Sequence, residues 1–385
     1  MISRRIASVL QGSRASVLLL GPRQAGKSTL IASLRPDVTI NLAHEPTYLD
    51  FARNPRELEQ RLGALPSAPQ RCTVFVDEVQ RLPGILNTIQ ATLDENRRRY
   101  KFYLTGSSAR KLRRGNANLL PGRIHAYTLG PVVVSELDGR MKTSEALRTG
   151  TLPGILTDPD SRSREKTLRT YAATYLREEV QAESLSRNME GFARFLTIAA
   201  EWAGHHLDLA KLAGAAQIAR QSAVRYFEIL EDTLIVRRAS AFARSPRRRL
   251  VQHPKFYFFD VGVLNGLLGN FEASGDRIGA LFEHLIHSQV VYGAAAADRE
   301  VQISSYRTEH GAEVDLIVEM GREVWAVELK ASRNVGTTDL RGLRSFAEYH
   351  GRRHRPIVLY LGETRRRIES VDVLPWQEGL REMGL

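Results

Sequence analysis

The run Gly21-Pro22-Arg23-Gln24-Ala25-Gly26-Lys27-Ser28-Thr29 fits the pattern GxxxxGK[ST] and follows the apolar stretch Val17–Leu20. A loop of this composition turns successive backbone N–H groups onto phosphate, and the helix that opens there adds the positive end of its dipole. Lys27 is placed to neutralise the β- and γ-phosphates of ATP, and Ser28 to offer its hydroxyl to Mg²⁺. The plain alternative is a Gly-rich strand–helix turn. A second apolar run, Thr73–Val76, ends in Asp77-Glu78. There Asp77 suits the Mg²⁺ shell, and Glu78 suits the base that orients and deprotonates an attacking water. A third run, Phe102–Leu104, ends in Thr105-Gly106-Ser107-Ser108, whose hydroxyls are suited to sense the γ-phosphate between the first two strands.

Two further constellations carry chemistry. Glu283 falls on an expected helix, Asp315 inside Val314–Val318, and Glu328-Leu329-Lys330 closes the next strand. Residues two apart share a strand face, so Glu328 and Lys330 project together. The pattern resembles the restriction-endonuclease-like fold, in which such carboxylates hold Mg²⁺ and the lysine assists the attacking water. Structural ion pairs between strands, or a nuclease fold kept only for binding, account for the same residues. In the middle of the chain, His206–Ala213, Gly214 and Ser222–Leu230 read as helix, turn, helix, and Thr233–Ala239 as a strand. That order outlines a winged helix-turn-helix. Gln221, Ser222 and Arg225 are then the exposed groups offered to DNA, with Arg237, Arg238, Arg247, Arg248 and Arg249 on or near the wing. Such folds also dock proteins.

The elements that must position these groups fall into three regimes. Up to about residue 135, the short apolar runs Ser16–Leu20, Val38–Asn41, Cys72–Val76 and Lys101–Leu104 alternate with helical stretches, which predicts βαβ units and a parallel sheet. Helical periodicity dominates from 136 to about 250. Beyond 278, a helix over Ala280–Val291 precedes strands at Val301–Arg307, Glu313–Val318 and Val324–Leu329, then a helix at Leu340–His350 and a strand at Pro356–Leu361. The stretch Gly269–Gly279 reads as a linker. The expected architecture is α/β: a P-loop ATPase core at 1–135 and a helical connector at 136–185. A winged helix-turn-helix follows at 186–268, and a restriction-endonuclease-like α/β domain at 269–385.

Composition narrows the field. The 385 residues are 43% hydrophobic and 25% charged, which excludes fibrous and wholly disordered chains. The single cysteine, Cys72, forms no internal disulfide, and zinc-type Cys/His spacings are lacking, so a reducing cytoplasm fits. No apolar run is long enough to cross a bilayer. The basic, partly apolar start has some character of a signal peptide, but its apolar stretch runs straight into the phosphate-binding motif. A net charge of +12, with 8 lysines among 55 basic residues, raises the expectation of a polyanionic partner. An arginine-rich composition on ordinary solvated faces is the bland reading of each cluster.

The segments GPRQAGKSTL, VFVDEVQRLPG, FYLTGSSARKL, PGRIHAYTLGPVVVSEL and TGTLPGIL, with LFEHLI, YRTEHGAEVDLIVE and WAVELKAS, span nearly the whole chain. Together they resemble the AAA-type ATPases of bacteria and archaea that bear a C-terminal domain of uncharacterised function. Ser28 stands where that family usually has threonine, a conservative change for a metal-ligating hydroxyl. The resemblance implies a homo-oligomeric, hexameric ring in which one subunit supplies an arginine to its neighbour's nucleotide. Arg123 is the first candidate and Arg110 the second, while pairing of Arg123 with a carboxylate of its own subunit is the alternative. It also supports the winged helix, and the order of parts parallels branch-migration motors acting on Holliday junctions. The expected function is an ATP-driven motor on duplex or branched DNA, with no membrane role. An ATP-gated nuclease and a nucleotide-switched regulator binding a protein are the alternatives.

Overall fold

The computed structural model describes residues 2–66, 71–96, 98–107, 122–138, 141–175, 188–242 and 253–385. Two compact units emerge: Ser3–Gly130 with the short stretch Asp232–Leu234, and Pro131–Glu231 with Ile235–Leu385.

The first unit is a five-stranded sheet made of β1 (Ser16–Leu20), β2 (Val38–Asn41), β3 (Cys72–Asp77), β4 (Tyr100–Gly106) and β5 (Ile124–Thr128). Its order is β2-β3-β4-β1-β5, and every neighbouring pair is parallel. A parallel sheet is covered on both faces, so its inner strands read as continuous apolar runs, and β4 is buried along its whole length. Alternate residues feed the two layers. Leu18, Val74, Val76, Phe102 and Leu104 pack on one side with Leu58, Leu62, Ile89 and Leu93. Val17, Leu19, Phe75 and Tyr103 pack on the other with Ile6, Leu10, Leu30 and Ile31. The sheet therefore contains a strand that sequence patterning did not single out: β5 is an edge of half-buried and exposed residues, with no apolar run to mark it.

The second unit joins a helical segment to a mixed sheet. Its helices include Thr143–Thr149, Ser161–Thr170, Met189–Glu201, Leu209–Ala215, Arg220–Asp232 and Val261–Leu268. Asp160, Asn188, Asp208 and Asp260 cap four of them by accepting bonds from first-turn amides. Next to β6 (Val236–Ala241) lies β7 (Lys255–Phe258), antiparallel to it. The long helix Ile278–Ala296, buried over most of its length, leads to β8 (Gln302–Arg307), β9 (Glu313–Met320) and β10 (Glu323–Lys330). The chain continues through helix Arg341–His350 to β11 (Arg355–Tyr360), β12 (Arg366–Ile368), β13 (Val371–Pro375) and helix Trp376–Glu382. All eight strands form one sheet, β12-β13-β11-β10-β9-β8-β6-β7. Because β6 runs parallel to β8, the hairpin after the helical segment is part of the C-terminal sheet. A single apolar cluster runs from Phe192, Phe195 and Phe227 through Phe256 and Phe282 to Trp325.

The stretch read as a linker, Gly269–Gly279, is fastened to the fold. Phe271 is buried, and the Arg277 guanidinium donates to the Asn265 side chain and to the carbonyls of Asn270 and Glu272. Its Gly/Ser/Asp composition is that of a turn held by local bonds. Among the described residues, no helix is long and apolar enough to cross a membrane.

Candidate functional site

The order of the first sheet builds the nucleotide site. β4 lies between β1 and β3, so the carboxyl ends of three strands bring together the P-loop, Asp77-Glu78 and Thr105. The crevice beyond the carboxyl ends of parallel strands is where such sheets bind ligands. Gly26 caps helix Lys27–Ser33 with φ +88°, which a side chain would strain. A Cβ on Gly21 would lie 2.0 Å from the Leu129 carbonyl oxygen, so the loop's first turn admits only glycine. Pro22, Arg23, Gln24 and Ala25 complete the loop, and Thr29 is exposed on the first helical turn.

Lys27 is 5% exposed and donates to the carbonyls of Gly21 and Pro22 at 2.8 and 3.0 Å. Its ammonium thus lies inside the loop, over the cradle of backbone groups. Ser28 Oγ donates to Asp77 Oδ1 at 2.8 Å, and Thr105 Oγ1 donates to the same oxygen. One carboxylate therefore links β3, β4 and the helix that follows the P-loop. Glu78 follows in the left-handed region at φ +59°, and its amide donates to Thr105 Oγ1 at 3.2 Å. A non-glycine residue held there stores about 1–3 kcal/mol and marks a position the surroundings dictate. The donor set fits a divalent cation with nucleotide phosphates, since a hydroxyl and a carboxylate already meet where GxxxxGK[ST] loops place Mg²⁺.

Two contributors escaped the sequence reading. Arg4, 8% exposed, donates to the Ala25 carbonyl at 2.8 Å and the Gly130 carbonyl at 2.9 Å, bracing the loop from behind. Gln80 donates through Nε2 to the Glu78 carboxylate and, at 3.0 Å, to Ser107 Oγ. The contacts of Arg4 with Ala25 and Gly130, and of Gln80 with Ser107, span long sequence separations, and no local pattern announces them. Arg123 lies just before β5 and donates to Asp94 within its own subunit. Because Ser16 pairs with Ile124, Arg123 sits at the amino end of β1 and β5, opposite the P-loop. Ser108 and Arg110 lie outside the described residues.

In the helical segment, Leu209–Ala215 and Arg220–Asp232 precede the β6–β7 hairpin, the order the sequence outlined. Gln221 and Arg225 are exposed on the second helix, and Ser222 is half-buried. The two strand arginines behave otherwise. Arg237 lies over the Tyr292 ring with its guanidinium carbon 5.4 Å from the centroid. Arg238 pairs with Glu231 at 2.7 Å and covers the Phe227 ring at 4.7 Å. Both have partners within the chain, and Arg238 is exposed as well. Arg247, Arg248 and Arg249 lie outside the described residues.

The C-terminal acids are brought together, with additions. Lys255, on β7 and 5% exposed, has its Nζ 2.9 Å from Glu283 Oε1 and 2.8 Å from Glu313 Oε1. Tyr257 Oη donates to Glu283 Oε1 at 2.6 Å. Asp315 Oδ2 accepts the Leu329 amide at 2.8 Å, and Lys330 pairs with Glu328 at 2.9 Å and Asp339 at 3.4 Å. Burial, then the charges of Glu328 and Glu283, push the Asp315 carboxyl well above the usual carboxylate range. Burial lifts Glu328 to about 7 against the opposing pull of Lys330. For Lys255, burial alone would favour the neutral amine, but Glu283, Asp315 and Glu313 outweigh it and hold the ammonium above its ordinary value.

Comparison with known proteins assigns these regions. Residues 13–137 match the AAA domain family, 141–274 a domain of unknown function (DUF8612), and 278–378 a second one (DUF4143). Uncharacterized proteins of Mycobacterium bovis and Mycobacterium tuberculosis are each 26% identical over 321 residues, covering 82% of this chain and 70% of the relative. A solved DNA polymerase III gamma subunit-related protein of Thermotoga maritima aligns over 59% of this chain and 97% of its own. Its identity of 12% and TM-score of 0.26 give that likeness no weight for function. The chain carries an AAA-type ATPase domain at its N-terminal end, followed by C-terminal domains of unknown function.

Proposed function

We propose that this chain hydrolyses ATP in a cytoplasmic, hexameric ring and uses the cycle to move or remodel DNA, duplex or branched. The observation that carries the ATPase reading is the bond chain from Ser28 through Asp77 to Thr105 at the mouth of the P-loop. Mg²⁺, bound with the nucleotide, supplies positive charge to the β- and γ-phosphate oxygens. Lys27 adds a second positive charge from inside the loop. Glu78 orients the water and takes its proton, while Gln80 holds the Glu78 carboxylate until the nucleotide is seated. Thr105 and Ser107, at the carboxyl end of the strand between the P-loop strand and the Asp77 strand, sense the γ-phosphate through a hydroxyl. Arg123, far from its own loop, is offered to the nucleotide of the adjacent subunit once it leaves Asp94. The helix–turn–helix and its hairpin are read as a winged helix, with Gln221, Ser222 and Arg225 facing DNA and the arginine-rich segment at 247–249 at its flank.

The engagement of Arg237 and Arg238 favours one second reading, a nucleotide-switched regulator whose helix–turn–helix binds a protein. One experiment separates the two. ATPase turnover is measured on the wild type and Glu78→Gln, without DNA and with single-stranded, duplex and four-way-junction DNA, alongside the assembly size. The motor reading expects Glu78→Gln to bind nucleotide normally but lose turnover by about 10²–10⁴-fold, and DNA to stimulate the wild type. Unchanged turnover in Glu78→Gln overturns the role of that residue. Turnover indifferent to every DNA, with no salt-dependent DNA binding, gives the regulator reading the site.

A further inference from the structure

The nuclease resemblance of the C-terminal domain implies a Mg²⁺ ion among Glu283, Asp315 and Glu328, and the residues present do not fit one. Mg²⁺ demands near-octahedral oxygen ligands at about 2.0–2.1 Å. Here one of the three acids is already held by a cation of the chain: Lys255 Nζ stands 2.9 Å from Glu283 and 2.8 Å from a fourth carboxylate, Glu313. The same Glu283 oxygen also accepts from Tyr257, and Arg307 reaches Glu313 at 3.6 Å. Glu328 pairs through Oε1 with Lys330, which is shared with Asp339, while its Oε2 is buried without a hydrogen-bond partner. Asp315 spends one oxygen on the Leu329 amide.

We infer that Lys255 is the resident cation of this cluster, so that the C-terminal domain is a metal-independent module and not a metal-dependent nuclease. The ammonium is not a surface charge that swings aside. It rises from β7, whose Lys255–Phe258 residues are all buried, and its stem is fixed by the sheet. A divalent ion and this ammonium would compete for the same carboxylate oxygens at mutual repulsion, and only the ammonium is covalently held at that point. Lys255 also comes from the 141–274 region, while Glu283 and Glu313 belong to 278–378. The pair of bonds therefore staples one domain of unknown function to the other. Removing the lysine leaves an acidic hole of the kind that recruits a hard cation.

The inference is independent of the nucleotide reading and is tested without nucleotide. Mn²⁺ binding to the full chain is followed by electron paramagnetic resonance, and cleavage of supercoiled DNA is scored with Mg²⁺ and Mn²⁺. The variants are Asp315→Asn, Lys255→Ala, and the two combined. The expected result is that the wild type and Asp315→Asn are alike in both assays. Lys255→Ala gains an Mn²⁺ site at least tenfold tighter than any in the wild type, and the double variant loses it. An Mn²⁺ site or a nicking activity in the wild type that Asp315→Asn abolishes overturns the inference. A folded Lys255→Ala that gains no site overturns it too. If Lys255→Ala fails to fold in chelator, millimolar Mn²⁺ is expected to restore its circular dichroism, because the ion replaces the missing charge. Failure of that rescue, with Lys255→Gln also gaining no site, counts against the inference equally.

Discussion

Two places in this chain are assembled from the same parts, a buried lysine and carboxylates at the ends of sheet strands, and they come out opposite in character. At the nucleotide site Lys27 turns back onto the carbonyls of Gly21 and Pro22. That leaves Asp77 with hydroxyl partners, Ser28 and Thr105. Hydroxyls are weak claimants, and a divalent ion displaces or shares them. In the C-terminal cluster Lys255 points its ammonium at the carboxylates themselves. The difference is where the lysine's charge is directed, not which residues are present. A list of acids and lysines at the right spacing therefore says that a cation belongs at a site but not whether the chain supplies it.

The largest expected difference between the two regions is in acid. The C-terminal cluster rests on a helix whose His284 is fully buried, with Nε2 accepting the Phe258 amide at 2.7 Å. Protonation would set two N–H groups against each other, and burial holds His284 down at about 3. His287, stacked on Tyr257, is depressed by burial as well. A depressed histidine contributes stability that is complete above about pH 6.5 and is lost as pH falls, up to about 5 kcal/mol for His284 alone. Asp260, raised by burial to about 6, acts in the other direction and costs stability as pH rises from about 4 to 6. Asp315 and Glu328, raised by burial as well, act as Asp260 does, so three carboxyls oppose two histidines and the His284 contribution is read by difference. His284→Gln keeps an acceptor for Phe258 and should change the pH slope of the unfolding free energy between 6.5 and 4 by about one proton, removing a term that favours the higher pH. An unchanged slope in denaturant titrations across this range would remove His284 from the account.

The next expected effect sets the two aspartates side by side. Asp77→Asn should cut ATP turnover by about 10³-fold, comparable to losing a charged group at a phosphoryl-transfer site. Asp315→Asn should leave turnover within about twofold, because the acids there answer to Lys255 and Lys330. Steady-state ATPase rates at saturating nucleotide check both. A strong loss in Asp315→Asn, with the fold intact by circular dichroism, would break the contrast and tie the C-terminal cluster to the motor cycle.

What could be read ahead of the structure follows the range of the interactions. The P-loop, Asp77-Glu78 and Thr105 were legible because each is a short contiguous signal at the end of an apolar run. The parallel sheet was legible for the same reason, apart from β5, whose half-exposed edge has no such run. Lys255 was not, since a lysine opening the short strand Lys255–Phe258 reads as a solvated end until Glu283 and Glu313 are brought against it from 28 and 58 residues away. Arg237 and Arg238 read as a basic wing, and only the structure shows that Tyr292, Glu231 and Phe227 partner them. Charge runs carry no record of which members are already paired.

Arg4 gives the smallest and most local test of the contrast, because it asks whether the nucleotide loop is as firmly held as the ammonium cage. Its guanidinium spans two carbonyls, Ala25 in the loop and Gly130 at the end of the first unit, at 2.8 and 2.9 Å. Neither acceptor touches the reacting atoms, so the residue positions the cradle without taking part in the chemistry. Arg4→Met keeps much of the apolar stem and removes both bonds, each worth about 1.5–3 kcal/mol when a charged donor is buried. Part of that loss is recovered by water reaching the freed carbonyls, and the remainder appears as a looser loop. A loop that grips ground state and transition state alike changes KM and leaves kcat alone. The expected outcome is therefore a KM for ATP raised about tenfold with kcat within about twofold, and nucleotide affinity weakened to match. If kcat falls instead while KM holds, Arg4 is setting the alignment of Lys27 and Ser28 in the transition state. The loop would then share with the Lys255 cage the property of having its geometry imposed from outside rather than by its own backbone.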